Sequence, residues 1–166
     1  MAVLQKFVRK VKSLLGGSAG GVIQKTPRII PASVHGIRPE LVAWQAIRTC
    51  EALQRRGFKA YVVGGAVRDM LLGVKPKDFD VATDATPEEV KACQKRAIII
   101  GRRFRLVHVI FGREVIECAT FRSLDTEGVR KDAAGRVISD NIFGEMWEDA
   151  ARRDFTINAL YYDPST

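Results

Sequence analysis

The sequence predicts an α/β fold of the α+β kind, with one domain following a short basic leader. Short apolar runs with β propensity stand at Ala60–Val63, Ala97–Ile100, Leu106–Phe111 and Val115–Phe121, and helical stretches with start and stop signals are interspersed among them. The chain has 166 residues, 46% of them hydrophobic, which is enough for one real core. No apolar run approaches the roughly 20 residues that cross a bilayer. Cys50, Cys93 and Cys118 are odd in number and widely spaced. That excludes a disulfide framework or a structural zinc cluster and points to a reducing compartment.

The net charge of +8 is unevenly placed. Residues 1–39 hold seven of the 27 Lys and Arg and none of the 19 Asp and Glu, so the remainder is nearly neutral. A polyanion-binding surface on the domain cannot be argued from the whole-chain charge. The leader is assigned to residues 1–28. In it Val3, Leu4, Phe7, Val8, Val11, Leu14 and Leu15 recur at helical spacing between Lys6, Arg9, Lys10 and Lys12, before the glycine-rich linker Gly16–Gly21. Such a segment can lie on an anionic membrane surface, contact RNA, serve as an organellar import signal, or remain a solvated basic tail.

The domain is assigned to residues 29–166. Pro39 and Glu40 open a helix with Leu41, Trp44 and Ile47 on one face, and Arg55, Arg56 and Gly57 close it. The strand Ala60–Val63 then runs into Gly64-Gly65 and a helix from Val67 to Leu72. Strand, double glycine and helix let backbone N–H groups approach a phosphate, although by itself the pattern is more often only a tight turn. After the turn at Gly73–Pro76, the stretch Lys77–Ala82 reads as a strand with Asp78 and Asp80 on one face and Phe79 and Val81 on the other. Paired carboxylates on a strand face suit a divalent cation such as Mg²⁺. Read alone, they fit the polar face of an edge strand better.

Thr86-Pro87-Glu88-Glu89 is a capping box, so Glu88 and Glu89 are structural. Glu117 stands in a strand of small and apolar residues and must be exposed, paired or metal-bound. It completes a three-carboxylate set if its strand neighbours that of Asp78 and Asp80. Arg102, Arg103 and Arg105 suit phosphates, or equally a solvated face. His108, on an apolar strand, reads as a hydrogen-bonded core histidine. Residues 122–141 lack hydrophobic periodicity and read as a long loop. Met146 to Leu160 reads as one helix. On it Asp154 and Asn158 share a face, and Arg152 and Arg153 fall four residues after Glu148 and Asp149, consistent with surface ion pairs.

Three segments occur in a telling order over about residues 57–163. They are Val63-Gly64-Gly65-Ala66-Val67-Arg68-Asp69 with Leu71-Leu72-Gly73, then Asp78-Phe79-Asp80, then Arg152-Arg153-Asp154-Phe155-Thr156-Ile157-Asn158-Ala159. On these segments the chain resembles the class II nucleotidyltransferases, which comprise bacterial poly(A) polymerases and tRNA CCA-adding enzymes. Gly101–Val109, Asp140–Gly144 and Asn158–Tyr162 look more like the N-terminal catalytic head of the poly(A) polymerases.

The resemblance implies a polymerase-β-like palm, a small mixed sheet flanked by helices. It implies that Asp78 and Asp80 bind metal and are catalytic, with Glu117 as third carboxylate. Gly64, Gly65 and Arg68 would lie at the triphosphate, and Arg152, Arg153, Asp154 and Asn158 at the nucleotide and ribose. Arg103 joins this nucleotide-binding set through its arginine-rich segment. The implied reaction adds AMP from ATP to an RNA 3′ end with two Mg²⁺ ions, releasing pyrophosphate without a covalent enzyme intermediate. The alternatives are CCA addition to tRNA and a catalytically silent RNA- or protein-binding module of the same fold. The family continues into a neck that selects the base and into helical RNA-binding domains. The expectation is therefore a catalytic head truncated before these parts, with most RNA contacts beyond Thr166 and no obligate oligomer. The expected compartment is the cytoplasm, with organellar import left open by the acid-free leader.

Overall fold

A computed structural model of the chain describes residues 25–102, 104–125, 130–131, 137–139 and 142–166. The leader segment 1–24, Arg103 and the Asp140-Asn141 pair lie outside the described residues. The elements in chain order are α1 (Ala32–His35), a 3₁₀ turn (Pro39–Leu41), α2 (Trp44–Gln54), β1 (Ala60–Val63), α3 (Gly65–Leu71), β2 (Asp80–Thr83), α4 (Pro87–Cys93), β3 (Ala97–Ile100), β4 (Leu106–Phe111), β5 (Glu114–Thr120), β6 (Arg130–Lys131), β7 (Val137–Ser139), α5 (Met146–Ala151), a second 3₁₀ turn (Thr156–Asn158) and β8 (Tyr161–Tyr162). Among the described residues no helix is long and apolar enough to cross a membrane.

Six strands form one mixed sheet in the order β3-β4-β5-β2-β1-β8. Its pairings are antiparallel except β2 with β5, which are parallel. This is the mixed sheet flanked by helices that the resemblance implied. The parallel pair needs a crossover, and α4, β3 and β4 provide it. Thr86 opens α4 with the expected capping box, its hydroxyl accepting from the Glu89 N–H while the Glu89 carboxylate reaches back to the Thr86 N–H at 2.8 Å. Gly112, at φ +64°, closes the expected β4–β5 hairpin.

Strand alternation divides the side chains between two faces. Val62, Val81, Cys118 and Val107 point to the face covered by the helices and join Ala46, Leu53, Met70 and Val90 in the main core. The opposite face has a smaller cluster of Val63, Ala82 and Phe121, with Tyr61, Met146 and Tyr161 packed on it. Beside this cluster the second face is open, and the candidate site lies there.

Several expectations are corrected. The helix expected from Pro39 is a 3₁₀ turn followed by α2, and Trp44 is 59% exposed rather than core-facing, its ring edge-on to Phe111. β2 begins at Asp80 and not at Lys77, because Val63 opposite Asp80 is the last residue of β1 before Gly64 turns the partner chain away. Asp78 therefore precedes the strand, although the alternation survives, with Phe79 buried between two exposed carboxylates. Within the expected loop 122–141, β6 and β7 pair. The expected helix 146–160 ends at Ala151. Asp154 Oδ1 accepts from the Phe155 N–H at 2.9 Å, a local bond that competes with helical geometry, and the chain resumes as a 3₁₀ turn.

Candidate active site

Residues in register across a sheet share a face, and one row here gathers several of the candidate site residues. Reading outward from β4, His108 faces Glu117, Glu117 faces Asp80, Asp80 faces Val63, and Val63 faces Tyr161. The condition that sequence spacing left open is thus met, since the strand of Glu117 neighbours that of Asp80. His108 lies on this face and not in the main core, with Nε2 3.4 Å from Glu117 Oε1. Its expected role as a core histidine is corrected by strand register.

Asp78, Asp80 and Glu117 are all exposed, so like charges share one face without burial. The carboxyl of Asp80 is nonetheless held above its ordinary pKa, first by partial loss of water, then by the charge of Glu117, with Asp78 adding to it and Arg153 opposing it. Oxygen donors sharing one face are what a hard divalent cation can use, and Mg²⁺ completes its shell with water and substrate phosphates. Among the described residues no three His, Cys, Asp or Glu side chains form a ready metal cluster. The expected three-carboxylate set is a shared face rather than a closed cage, because mutually repelling carboxylates have no reason to converge by themselves.

The glycine turn borders this row. Gly64 has φ +73° and ψ −137°, a conformation that L side chains rarely adopt. Arg153 lies against this turn, with Nη1 3.5 Å from where a Cβ of Gly64 would stand. Arg68 is braced by Asp69 at 2.8 Å and donates from Nη1 to Asn158 Oδ1 at 3.3 Å. Asn158 in turn donates to Asp154 Oδ1 at 3.4 Å. The last two therefore meet as expected, through a turn instead of a helix face.

The arginine pair divides. Arg152 Nη1 donates to the Ser123 carbonyl at 2.6 Å, which secures the exit of β5. Arg153 pairs with Asp149 at 3.0 Å, but their side chains are only 25% and 13% exposed. The expected surface ion pair is an interior one. Tyr161 donates to the same carboxylate at 2.5 Å. Sequence spacing exposed the Asp149–Arg153 pair but not its burial, and it carried no sign of Tyr161 as a partner. Arg105 is bound to Glu88.

Residues 60–166 match the family model described as the poly A polymerase head domain. The chain belongs to that family. This head domain is 49% identical over 142 residues to poly(A) polymerase I of Haemophilus influenzae, covering 82% of the chain and 31% of that protein. It is 46% identical over 164 residues to poly(A) polymerase I of Salmonella typhi, covering 94% and 35%. A CCA-adding enzyme of Staphylococcus aureus is 37% identical over 120 residues, covering 72% and 29%. Among solved structures, the Bacillus stearothermophilus CCA-adding enzyme in complex with CTP matches with a TM-score of 0.57 and 34% identity, over 74% of this chain and 28% of that one. The chain spans about a third of the length of these poly(A) polymerases.

Proposed function

We propose that this head domain carries the chemical step of a polynucleotide adenylyltransferase, joining AMP from ATP to an RNA 3′ end. The 3′ oxygen forms a bond to the α-phosphorus as the bond to the leaving pyrophosphate breaks. The observation that carries this reading is the in-register pair Asp80 and Glu117, bordered by the Gly64 turn and Arg153. When bound, two Mg²⁺ ions held by Asp78 and Asp80, with Glu117 alongside, would activate the 3′-hydroxyl and neutralise the triphosphate. Arg153 and Arg68 orient the phosphates, since a guanidinium can meet them with paired hydrogen bonds. Asp154 and Asn158 are assigned to the ribose.

Adenylate addition to general RNA is favoured by identity, 49% and 46% to the poly(A) polymerases against 37% to the CCA-adding enzyme. CCA addition to tRNA is the second reading, supported by the likeness to a CCA-adding enzyme solved with CTP. We place the protein in RNA processing in the cytoplasm, supported by its three free cysteines. The full-length protein should be offered each nucleoside triphosphate separately, on unstructured RNA and on tRNA lacking its 3′ end. Processive AMP incorporation on both substrates is expected. Consumption of CTP with completion of tRNA alone would replace the first reading by the second.

A further inference from the structure

We infer that Asp149, together with Tyr161, is a positioning residue for the triphosphate, holding the Arg153 guanidinium against the Gly64 turn. The inference rests on the function proposed above.

Asp149 Oδ2 accepts from Arg153 Nη2 at 3.0 Å and from the Tyr161 hydroxyl at 2.5 Å, while Oδ1 accepts from the Arg122 N–H at 3.3 Å. The Arg153 guanidinium lies 5.5 Å from the centre of the Tyr161 ring, and its Nη1 donates to the Asn158 carbonyl at 3.4 Å. The side chain is thus held on several sides, and its Nη1 lies in contact distance of the Gly64 turn. Tyr161 is itself anchored by strand pairing opposite Val63, in the row of Asp80 and Glu117. The whole clamp is therefore tied to the catalytic strands.

The alternative is an interior ion pair that only stabilises the fold. Two observations oppose it. Arg153 Nε is buried without a hydrogen-bond partner, a cost that a device for stability alone has no reason to carry. Arg153 Nη1 also lies 3.5 Å from where a Cβ of Gly64 would stand, so the guanidinium faces the turn next to Val63, which is in register with Asp80. An arginine held in a fixed orientation can meet a phosphate without losing side-chain freedom on binding.

The sign of one substitution separates the two roles. Asp149 partly neutralises Arg153, so if charge alone mattered, Asp149→Asn would tighten anion binding. If Asp149 positions Arg153, the same change loosens it. Hydrogen-bond partners standing behind a metal-binding side chain are worth about 10- to 100-fold, and the lower end of that scale is expected here.

The test uses the full-length protein, with inorganic tripolyphosphate binding followed by calorimetry and steady-state kinetics with ATP. Asp149→Asn should weaken tripolyphosphate and raise KM for ATP together, with kcat changed far less. It should add nothing when Arg153 is already alanine. Tyr161→Phe should move both quantities the same way by less, and it carries the comparison if Asp149→Asn does not fold. Unchanged or tighter tripolyphosphate binding, with only a lower unfolding temperature, overturns the inference, as does a wild-type protein that binds no tripolyphosphate. A wild-type protein that binds it but incorporates no AMP overturns the proposed function, while the positioning test still reads through tripolyphosphate.

Discussion

Glu117 on β5 stands directly abreast of Asp80 on β2, in the one parallel pairing among the described strands. The alignment makes Glu117 a member of the carboxylate face and ties the site to the centre of the sheet. Replacing Asp78 or Asp80 by Ala in the full-length protein should lower AMP incorporation by about a hundredfold or more, the scale of losing one preorganised electrostatic group. Glu117→Gln should act in the same direction with a smaller loss. Primer-extension rates at saturating ATP check both, and an unchanged rate in the doubly substituted Asp78 and Asp80 protein would remove the site assignment.

The partial loss of water at Asp80, with the charge of Glu117 beside it, has a consequence for stability. Its folded-state pKa is raised above its ordinary value, so between the two the native state binds more protons than the unfolded one. Stability from this group is present below the ordinary value of 3.8 and is lost as pH rises through the folded value. Asp80→Asn should therefore raise the unfolding temperature at neutral pH in EDTA. The gain should vanish near pH 3 and shrink when Mg²⁺ is added, because a cation relieves the same repulsion. Thermal unfolding followed by circular dichroism across this range decides it.

The two glycines of the turn should respond differently to alanine. At Gly64 the positive φ itself is strained for any L side chain, by about 1–3 kcal/mol. The new methyl group would stand at ordinary contact distance from Arg153, so the strain lies in the backbone of the turn. At Gly65 the nearest obstacle is the movable end of Arg68, 3.3 Å away. Gly64→Ala should lose both stability and ATP affinity, and Gly65→Ala little of either. Denaturant titration together with KM for ATP tests the contrast.

Thiol reactivity should report the main core. Cys118 and Cys50 are buried, and burial pushes both thiols up, that of Cys50 to about 12. Cys93 at the end of α4 is only half-buried. Iodoacetamide at neutral pH should label Cys93 first, with the other two reacting only on unfolding. Peptide mass mapping over time reads this directly, and early labelling of Cys118 would contradict the packing of β5 on the helices.

Much of the fold was legible because its signals are local. Alternation and turn residues placed β1, β3, β4 and the β4–β5 hairpin, and the Thr86 capping box opened α4 where expected. Local signals failed where a distant partner decides. Asp78 has strand-like alternation, yet no strand pairs with it, since the pairings of β2 with β1 and with β5 both begin at Asp80. Periodicity carried a helix through Arg152–Leu160, but the helix stops at Ala151 and the chain resumes as a 3₁₀ turn at Thr156. His108 looked like a core residue because its neighbours are apolar, but which face it takes depends on the register with β5.

The sequence by itself determined the family, through three ordered motifs, and marked the candidate carboxylates, because residue type and spacing are written in the chain. Only the tertiary structure decided which of these groups meet. Strand order brought Glu117 to Asp80, and the path of the last segment set Arg153 between Asp149, Tyr161 and the Gly64 turn. The physical reason is that hydrogen-bond register between strands and the burial of an ion pair depend on residues far apart in the chain, which no local pattern encodes.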